Sequence, residues 1–224
     1  MDLTTLLIFG LMLIIPTIAQ IGIKTSYAKY LKIASKQGLS GQEVARKILD
    51  KNGLDKLHVV ETEGTLSDHY DPTGKVVRLS HDIFAGETVA SMSVAAHECG
   101  HAIQDKDNYV FFKMRSAIVP VVNFATSISY YVIMIGLAMQ FLKLFYLGVA
   151  LTAAGLVFQI VTLPVELDAS RRAKKQLEEM GLVDSSEARG VKKMLKSAAM
   201  TYVAGVITSA LQIFRLLLMA RRSN

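Results

Sequence analysis

Four long apolar segments dominate the pattern of hydrophobic and polar positions along the chain. None contains Asp, Glu, Lys or Arg, and they run from Leu3 to Ile23, Ser116 to Leu142, Leu144 to Val165 and Ser197 to Phe214. About 20 apolar residues are needed to cross the roughly 30 Å of hydrocarbon in a bilayer. The first three segments meet this length, and the fourth meets it only if Arg215 is accepted within it. The pattern therefore predicts about four transmembrane helices.

The composition supports a membrane protein. Hydrophobic residues make up 51% of the 224 residues and charged residues only 20%, which is more apolar side chain than a core of this size can hide from water. A net charge of +6 would suit a nucleic-acid partner, but in a lipid-facing chain basic residues more often mark the cytoplasmic side. We expect a lipid bilayer as partner and no nucleic acid. The single cysteine, Cys99, excludes an intrachain disulfide.

The distribution of basic residues predicts the orientation in the membrane. Four lysines follow the first apolar segment, four basic residues follow the third, and the connection between the second and third offers only Lys143. By the positive-inside bias, the polar parts face the cytoplasm and the tip of the hairpin lies outside. Basic residues stand on both sides of the fourth segment, so the location of the C-terminus stays open.

The alternation of apolar and polar segments divides the chain into five regions. We expect a transmembrane anchor at 3–23, a cytoplasmic catalytic part at 24–115, a transmembrane hairpin at 116–165, cytoplasmic helices at 166–196 and a C-terminal transmembrane or interfacial helix at 197–220. The predicted fold is an integral membrane protein, mainly α with a small β-sheet, in which the polar catalytic part is mixed α/β.

Within the polar regions, local signals predict helices and a sheet. Ser40-Gly41-Gln42-Glu43 is typical of a capping box, which opens a helix with Val44, Ala45, Ile48 and Leu49 on one face and an end near Gly53. Leu57–Thr62 and Lys75–Ser80 are rich in β-branched residues and flank a turn-rich stretch, which favours a small antiparallel sheet. A helical pattern runs from Glu87 to about Gln104, and Leu167–Met180 predicts a separate amphipathic helix.

The first of these two helical patterns carries a candidate metal motif. His97-Glu98-Cys99-Gly100-His101 has the HExxH spacing, which places both imidazoles on one helix face, where they can hold one Zn²⁺. Glu98 is offset by one residue and can reach a water molecule at the metal. Cys99 points away from that face, so we interpret it as a small buried hydrophobe.

A catalytic zinc needs a third protein ligand, which the motif itself does not supply. The candidates are His58, His69 and His81 upstream, and Glu166 and Asp168 at the end of the third apolar segment. Asp168 is four residues before Arg172, a good spacing for an ion pair on a solvated helix. We therefore favour ion pairing for Asp168 and metal ligation for Glu166.

Three segments together resemble a known family. They are the HExxH motif, the upstream Asp68-His69-Tyr70-Asp71-Pro72 with Arg78-Leu79-Ser80, and the downstream stretch from Leu163 to Ala173. They are similar to the bacterial membrane-integral neutral zinc metallopeptidases called YugP-like, over nearly the whole chain. The resemblance implies a multi-pass protein of the bacterial inner membrane and a gluzincin site with Glu166 as third zinc ligand. In the more distant HtpX-type and prenyl-protein endopeptidases an Asp stands where this chain has Ser170.

The implied activity is zinc-dependent hydrolysis of peptide bonds in protein or peptide substrates, with Glu98 as general base and acid. The donor that stabilises the transition state stays open among His69, Tyr70, Tyr202, Arg171 and Arg172, and the segment Lys75–Ser80 is a candidate edge strand for an extended peptide. The alternative function is a scaffold or interaction protein in which zinc only staples two segments. Glu98 favours the enzyme, because a structural site has no use for a proton shuttle. The oligomeric state cannot be read from these patterns.

Overall fold

The computed structural model describes residues 3–222, and most of them are helical. The helices are α1 (Leu3–Tyr30), α2 (Gly41–Lys51), α3 (His81–Phe84), α4 (Val89–Lys106), α5 (Val110–Ala138), α6 (Leu142–Glu179) and α7 (Ala188–Arg222). The strands are β1 (His58–Thr62), β2 (His69–Asp71) and β3 (Val76–Ser80). The predicted class, mainly α with a small sheet, is confirmed.

Four helices are long and apolar enough to cross a membrane, namely α1, α5, α6 and α7. Each presents large apolar side chains on its outer surface, for example Ile14, Val121, Ile160 and Ile207. Such exposure is costly in water and favourable in lipid. The prediction of about four transmembrane helices is confirmed, and the marginal fourth segment belongs to a helix of 35 residues that begins upstream of it.

The chain forms two compact units. The membrane unit comprises Met1–Gln20, Lys113–Pro164 and Thr201–Asn224, and the polar unit comprises Ile21–Phe112 and Val165–Met200. Each of the four long helices, α1, α5, α6 and α7, contains residues of both units.

The polar unit is built around α2 and α4. Ser40 and Glu43 form the predicted capping box at the start of α2, each bonding the backbone N–H of the other. The buried face of α2, formed by Val44, Ala45, Ile48 and Leu49, contributes to a core that also includes buried residues of α4. The predicted face is therefore confirmed.

The sheet differs from the predicted antiparallel one. Its strand order is β1-β3-β2, with β1 parallel to β3 and β2 antiparallel to β3. The turn-rich stretch contributes β2, which pairs with one edge of β3, while β1 pairs with the other edge. Lys75–Ser80 is consequently the central strand, and the prediction that it forms an edge for an incoming peptide is wrong.

The helix predicted at Leu167–Met180 is present, but it is the last part of α6, which continues without a break from Leu142 to Glu179. Pro164 lies inside it, where a proline removes one backbone donor without necessarily ending the helix. The onset of charged residues at Glu166 therefore marks a change of surroundings and not a change of secondary structure.

Gly100 allows α4 and α6 to approach closely within the polar unit. A Cβ atom at Gly100 would lie 2.6 Å from the carbonyl oxygen of Ala169. This separation is below any normal contact, and the obstacle is backbone rather than a movable side chain. Glycine is therefore required where the two helices meet.

We expect Gly100→Ala to destabilise the protein by about 1–3 kcal/mol, because an overpacked methyl group must push the helices apart. Thermal unfolding in detergent measures the effect. Gly22→Ala is the matched control, since nothing lies within 4 Å of its added Cβ atom. Equal melting temperatures for the two variants would contradict the close packing.

Candidate metal centre

Three side chains of the polar unit converge on one point. His97 and His101 come from successive turns of α4, and Glu166 comes from α6. Oε2 of Glu166 lies 3.3 Å from Nε2 of His97 and 3.5 Å from Nε2 of His101. All three side chains are largely buried, so the cluster is shielded from bulk water.

The spacing of these atoms fits a tetrahedral metal ion. Two ligand atoms about 2.1 Å from a tetrahedral zinc are separated by about 3.4 Å. The two measured separations from Glu166 match this value. Two imidazoles with one carboxylate is also a donor set that zinc uses in catalytic sites.

Hydrogen bonding leaves Nε2 of His101 as an acceptor. Nδ1 of His101 lies 3.0 Å from Oε1 of Gln104. The amide orientation of Gln104 is determined, because its Nε2 donates to the carbonyl of Val165 and to Asp168. Nδ1 must therefore carry the proton, and Nε2 of a neutral His101 presents a lone pair to the cluster.

His97 has a corresponding partner. Its Nδ1 lies 3.3 Å from Oγ of Ser170, which is one helical turn after Glu166 on α6. The hydroxyl oxygen of Ser170 can accept a hydrogen bond from Nδ1–H, which leaves Nε2 of His97 directed to the cluster as an acceptor. Ser170 thus contacts the first histidine at the position where the more distant relatives carry Asp.

Asp168 does not lie on a solvated helix face, so that part of the prediction is wrong. Its side chain is buried, and it accepts a hydrogen bond from Gln104. The predicted ion pair with Arg172 is present at 2.6 Å, Arg171 also pairs with it, and Arg172 continues to Asp107. The sequence spacing revealed the pair but not the amide of Gln104 beneath it.

Glu98 lies beside the cluster without joining it. Its Oε2 accepts a hydrogen bond of 2.9 Å from the backbone N–H of Tyr70, so strand β2 orients the carboxylate. Burial, which removes the charged form from water, raises the pKa of Glu98 to about 7, with His97 opposing the rise and the nearby charges of Glu166 and Asp68 adding to it. A carboxylate with such a pKa can both take and release a proton near neutral pH.

The two proposed transition-state donors have other partners in this structure. The Tyr70 hydroxyl donates to Asp105 at 2.8 Å, and Nδ1 of the exposed His69 lies 2.8 Å from the carbonyl of Ser67. Burial, followed by the bond to Asp105, raises the pKa of Tyr70. Their catalytic role stays a prediction, whereas the backbone of Tyr70 has a visible function in holding Glu98.

The remaining candidates lie elsewhere. His58, His69 and His81 are exposed residues of the sheet region and are not part of the cluster. Cys99 is fully buried, with its thiol directed to the carbonyl of Ala45, and burial raises its pKa. This placement agrees with its interpretation as a small hydrophobe.

Two residues that orient the histidines escaped the sequence analysis. Gln104 follows His101 by three positions on α4, and Ser170 follows Glu166 by four on α6. A spacing of three or four residues places Gln104 on the helix face of His101 and Ser170 on that of Glu166. This spacing is the sequence signal that could have identified both residues. Many polar residues share such spacing, so the contacts themselves were needed.

Comparison with known proteins supports this interpretation. A family model described as "Putative neutral zinc metallopeptidase" matches residues 5–221. The chain belongs to this family. A relative in Bacillus subtilis (strain 168), the "Putative membrane protease YugP", is 43% identical over 197 residues, which cover 88% of each chain. No solved structure matches. The family membership confirms the resemblance drawn from the motifs and implies zinc for this member of the neutral zinc metallopeptidase family.

We expect Gln104→Leu to lower the zinc affinity of this metallopeptidase family member by about 10–100-fold, because His101 loses the acceptor that orients it. Competition with a chromogenic zinc chelator measures the affinity. Gln176→Leu is the matched control, since Gln176 also lies in the polar unit but its side-chain amide pairs with that of Asn52. Equal zinc affinities of the two variants would contradict the orienting role of Gln104.

Proposed function

We propose that the protein is a zinc-dependent endopeptidase of the membrane, with its site facing the cytoplasm. The observation that carries this proposal is the convergence of three acceptor atoms, with Glu166 3.3 Å from His97 and 3.5 Å from His101, beside a second carboxylate, that of Glu98, which is not part of the cluster. Three acceptor atoms at this spacing can share one cation, which offsets their mutual repulsion. Family membership supports zinc as that cation.

Each residue has a distinct role in the proposed reaction. His97, His101 and Glu166 would hold the zinc, which when bound polarises the scissile carbonyl and lowers the pKa of water. Glu98 removes a proton from the attacking water and delivers it to the nitrogen of the leaving amine. Tyr70 keeps the Glu98 carboxylate oriented through its backbone N–H, and Gln104 and Ser170 keep the imidazoles oriented.

The second candidate function is a non-catalytic scaffold in which zinc only holds two segments of the chain together. Such a site would need the three ligands but not the hydrogen bond that positions Glu98. The carboxylate of Glu98 is buried at a cost that a purely structural site does not require. This arrangement favours catalysis over the scaffold.

The proposed topology has the polar unit in the cytoplasm and the tip of the α5–α6 hairpin outside. Basic residues near the polar unit support this orientation. The end of α7 packs near the start of α6, since Leu216 and Ala220 form one cluster with Phe145 and Val149. We infer that α7 crosses the membrane and that its C-terminal end lies on the side of Lys143.

The first test combines zinc content with turnover of a casein-type peptide. We expect the wild-type protein to contain zinc and to lose activity with a chelator. Glu98→Gln should keep its zinc and lose about 10²–10⁴-fold in activity, because the amide cannot accept the proton. Glu166→Gln should lose both zinc and activity.

Glu178→Gln is the control for these variants, since Glu178 lies on the same helix as Glu166 but pairs with Lys174 at the surface. It should match the wild type in both measurements. Loss of zinc in Glu98→Gln, or full activity in that variant, would contradict the assigned proton shuttle.

The topology is tested by cysteine labelling of intact cells in a Cys99→Ala background. We expect Lys32→Cys and Ser185→Cys to be protected from an impermeant maleimide, and Lys143→Cys and Arg221→Cys to react, as the positive-inside bias and the crossing of α7 require. The opposite pattern would overturn the orientation. Protection of Arg221→Cys alone would show that α7 does not cross.

A further inference from the structure

Six exposed lysines lie around the end of α1 and at the start of α7, and together they form the lysine surface. They are Lys24, Lys29, Lys32, Lys192, Lys193 and Lys196. Within residues 3–222 none of the six forms an ion pair. Other lysines of the polar unit do pair with carboxylates, namely Lys36, Lys51, Lys75, Lys174 and Lys175. The positive charge of the lysine surface is therefore not neutralised by ion pairs in the described chain.

The sequence around these lysines contains no acidic residue that could pair with them locally. Residues 3–42 and 188–224 have no Asp or Glu. On a helix surface, lysines are commonly balanced by a carboxylate three or four residues away. The end of α1 and the start of α7 lack this balance, so an anionic partner from outside the chain is expected.

The two segments meet, because α1 and α7 pack against each other within the polar unit. Oγ of Ser26 lies 2.7 Å from Oγ of Ser197. A Cβ atom at Gly190 would lie 2.9 Å from the Tyr30 ring, so glycine permits close approach there. The ammonium group of Lys29 lies 5.6 Å from the centre of the same ring. All three lysines of α7 lie between Gly190 and Ser197 along the helix, so both segments contribute charge to one region.

This region borders the apolar parts of both helices. Lys24 directly follows the apolar segment that ends at Ile23, and Lys196 directly precedes the one that begins at Ser197. Both helices continue through these boundaries without a break. At 1.5 Å per residue, Lys29 lies about 9 Å beyond Ile23 along the axis of α1. With the apolar segments in the hydrocarbon, flexible lysine side chains at these positions reach the level of the lipid headgroups.

The same parts of α1 and α7 also support α4, which carries the HExxH motif. A Cβ atom at Gly190 would lie 3.1 Å from Cγ1 of Val89, the first residue of α4. Tyr27 of α1 and Val191 of α7 belong to one core with buried residues of α4. A ligand that holds α1 and α7 together would therefore stabilise the polar unit as well.

We propose that the lysine surface is a joint binding site of α1 and α7 for the headgroups of anionic phospholipids. Lysines beside a membrane helix attract anionic lipids, and ammonium groups form charge-assisted hydrogen bonds with phosphate oxygens. Membrane orientation requires positive charge in flanking segments, but not its convergence from two distant parts of the chain onto one surface. The proposal does not depend on peptidase activity.

A nucleic acid fits the lysine surface less well than a lipid does. The surface adjoins two apolar segments, so lipid is already its neighbour. Proteins that bind single-stranded nucleic acids combine basic residues with aromatic rings on which the bases stack. The aromatic ring beside Lys29 is that of Tyr30, which is buried against α7 and not available for stacking.

The test uses a single tryptophan as a reporter of neighbouring lipid, since the chain has none of its own. Ile21→Trp places it on α1, at a lipid-accessible position that is 59% exposed and three residues before Lys24. Full-length protein is reconstituted in phosphatidylcholine vesicles that contain brominated phosphatidylglycerol or brominated phosphatidylcholine, whose bromine atoms quench tryptophan fluorescence. The two quenching curves give the ratio of the binding constants. We expect a clear preference for the anionic lipid.

Two pairs of substitutions in the Ile21→Trp background test the joint surface. Lys24→Gln with Lys29→Gln removes charge from the reporter helix, and Lys193→Gln with Lys196→Gln removes it from α7. We expect each pair to lower the ratio about fivefold or more, since about fivefold is the effect of one lysine at an anionic membrane surface. The result for the α7 pair is decisive, because its lysines are distant in sequence from the reporter.

Lys47→Gln with Lys56→Gln is the matched control for both pairs. These lysines are also exposed in the polar unit, and the loss of charge is equal, but they lie on α2 and in the segment after it. The ratio should stay unchanged. Gel filtration checks that all variants remain folded.

Thermal unfolding in detergent gives a second measurement. Added phosphatidylglycerol should raise the melting temperature of the wild-type protein more than phosphatidylcholine does, because a ligand of the folded state stabilises it. For a lysine pair that does not fold, ionic strength replaces the substitutions. Raising it from about 0.01 M to about 1 M shortens the screening length from about 30 Å to about 3 Å and should remove the lipid preference of Ile21→Trp.

Four results would overturn the proposal. Equal quenching by the two brominated lipids would show that the surface has no lipid preference, and a preference that persists at high ionic strength would not be electrostatic. An equal loss in the control pair would assign the preference to net charge alone, and a loss confined to the α1 pair would exclude a joint surface. Binding of a single-stranded RNA in neutral vesicles, abolished by either lysine pair, would assign the surface to nucleic acid and also overturn it.

Discussion

The convergence of three lone-pair acceptors in a buried place is the constraint on which the polar unit depends. His97, His101 and Glu166 approach to 3.3 and 3.5 Å only because α4 and α6 pack backbone to backbone at Gly100 and Ala169. A side chain at Gly100 would separate the helices, and the acceptors would move apart with them. A cation between the acceptors would offset the mutual repulsion that this close approach creates. Metal binding at this cluster would therefore stabilise the same packing of α4 against α6.

The orientation of the ligands relies on hydrogen bonds from side chains with no metal-binding role of their own. Gln104 connects His101 to Asp168, and Asp168 is in turn held by Arg172, whose other contact is Asp107. The chain of bonds joins the end of α4 to the part of α6 that follows Glu166. A buried Asp168 without its two arginine partners would be an uncompensated charge. The ion pairs of Asp168 therefore help to orient the Gln104 amide, and that amide determines which nitrogen of His101 carries the proton.

Local patterns predicted some features well and others not at all. The capping box at Ser40, the face of α2 and the HExxH face of α4 depend on residues close in sequence, and all three are present in the structure. The strand pairing depends on long-range contacts, so the parallel pairing of β1 with β3 and the insertion of β2 were missed. The burial of Asp168 was missed for the same reason, because its spacing to Arg172 says nothing about Gln104. Glu166 was singled out by its place at the end of an apolar segment, but only the structure shows it within reach of both histidines.

One uninterrupted helix carries both the lipid-facing residues of the hairpin and the third acceptor of the cluster. Had α6 ended at Pro164, a loop would have separated Glu166 from the membrane segment, and its position would have varied with the loop. In a continuous helix, the rise of 1.5 Å per residue places Glu166 about 6 Å along the helix axis from Thr162. The position of that carboxylate relative to the apolar part of α6 is therefore set by helix geometry. The change from apolar to charged side chains along α6 therefore takes place without any break in the helix.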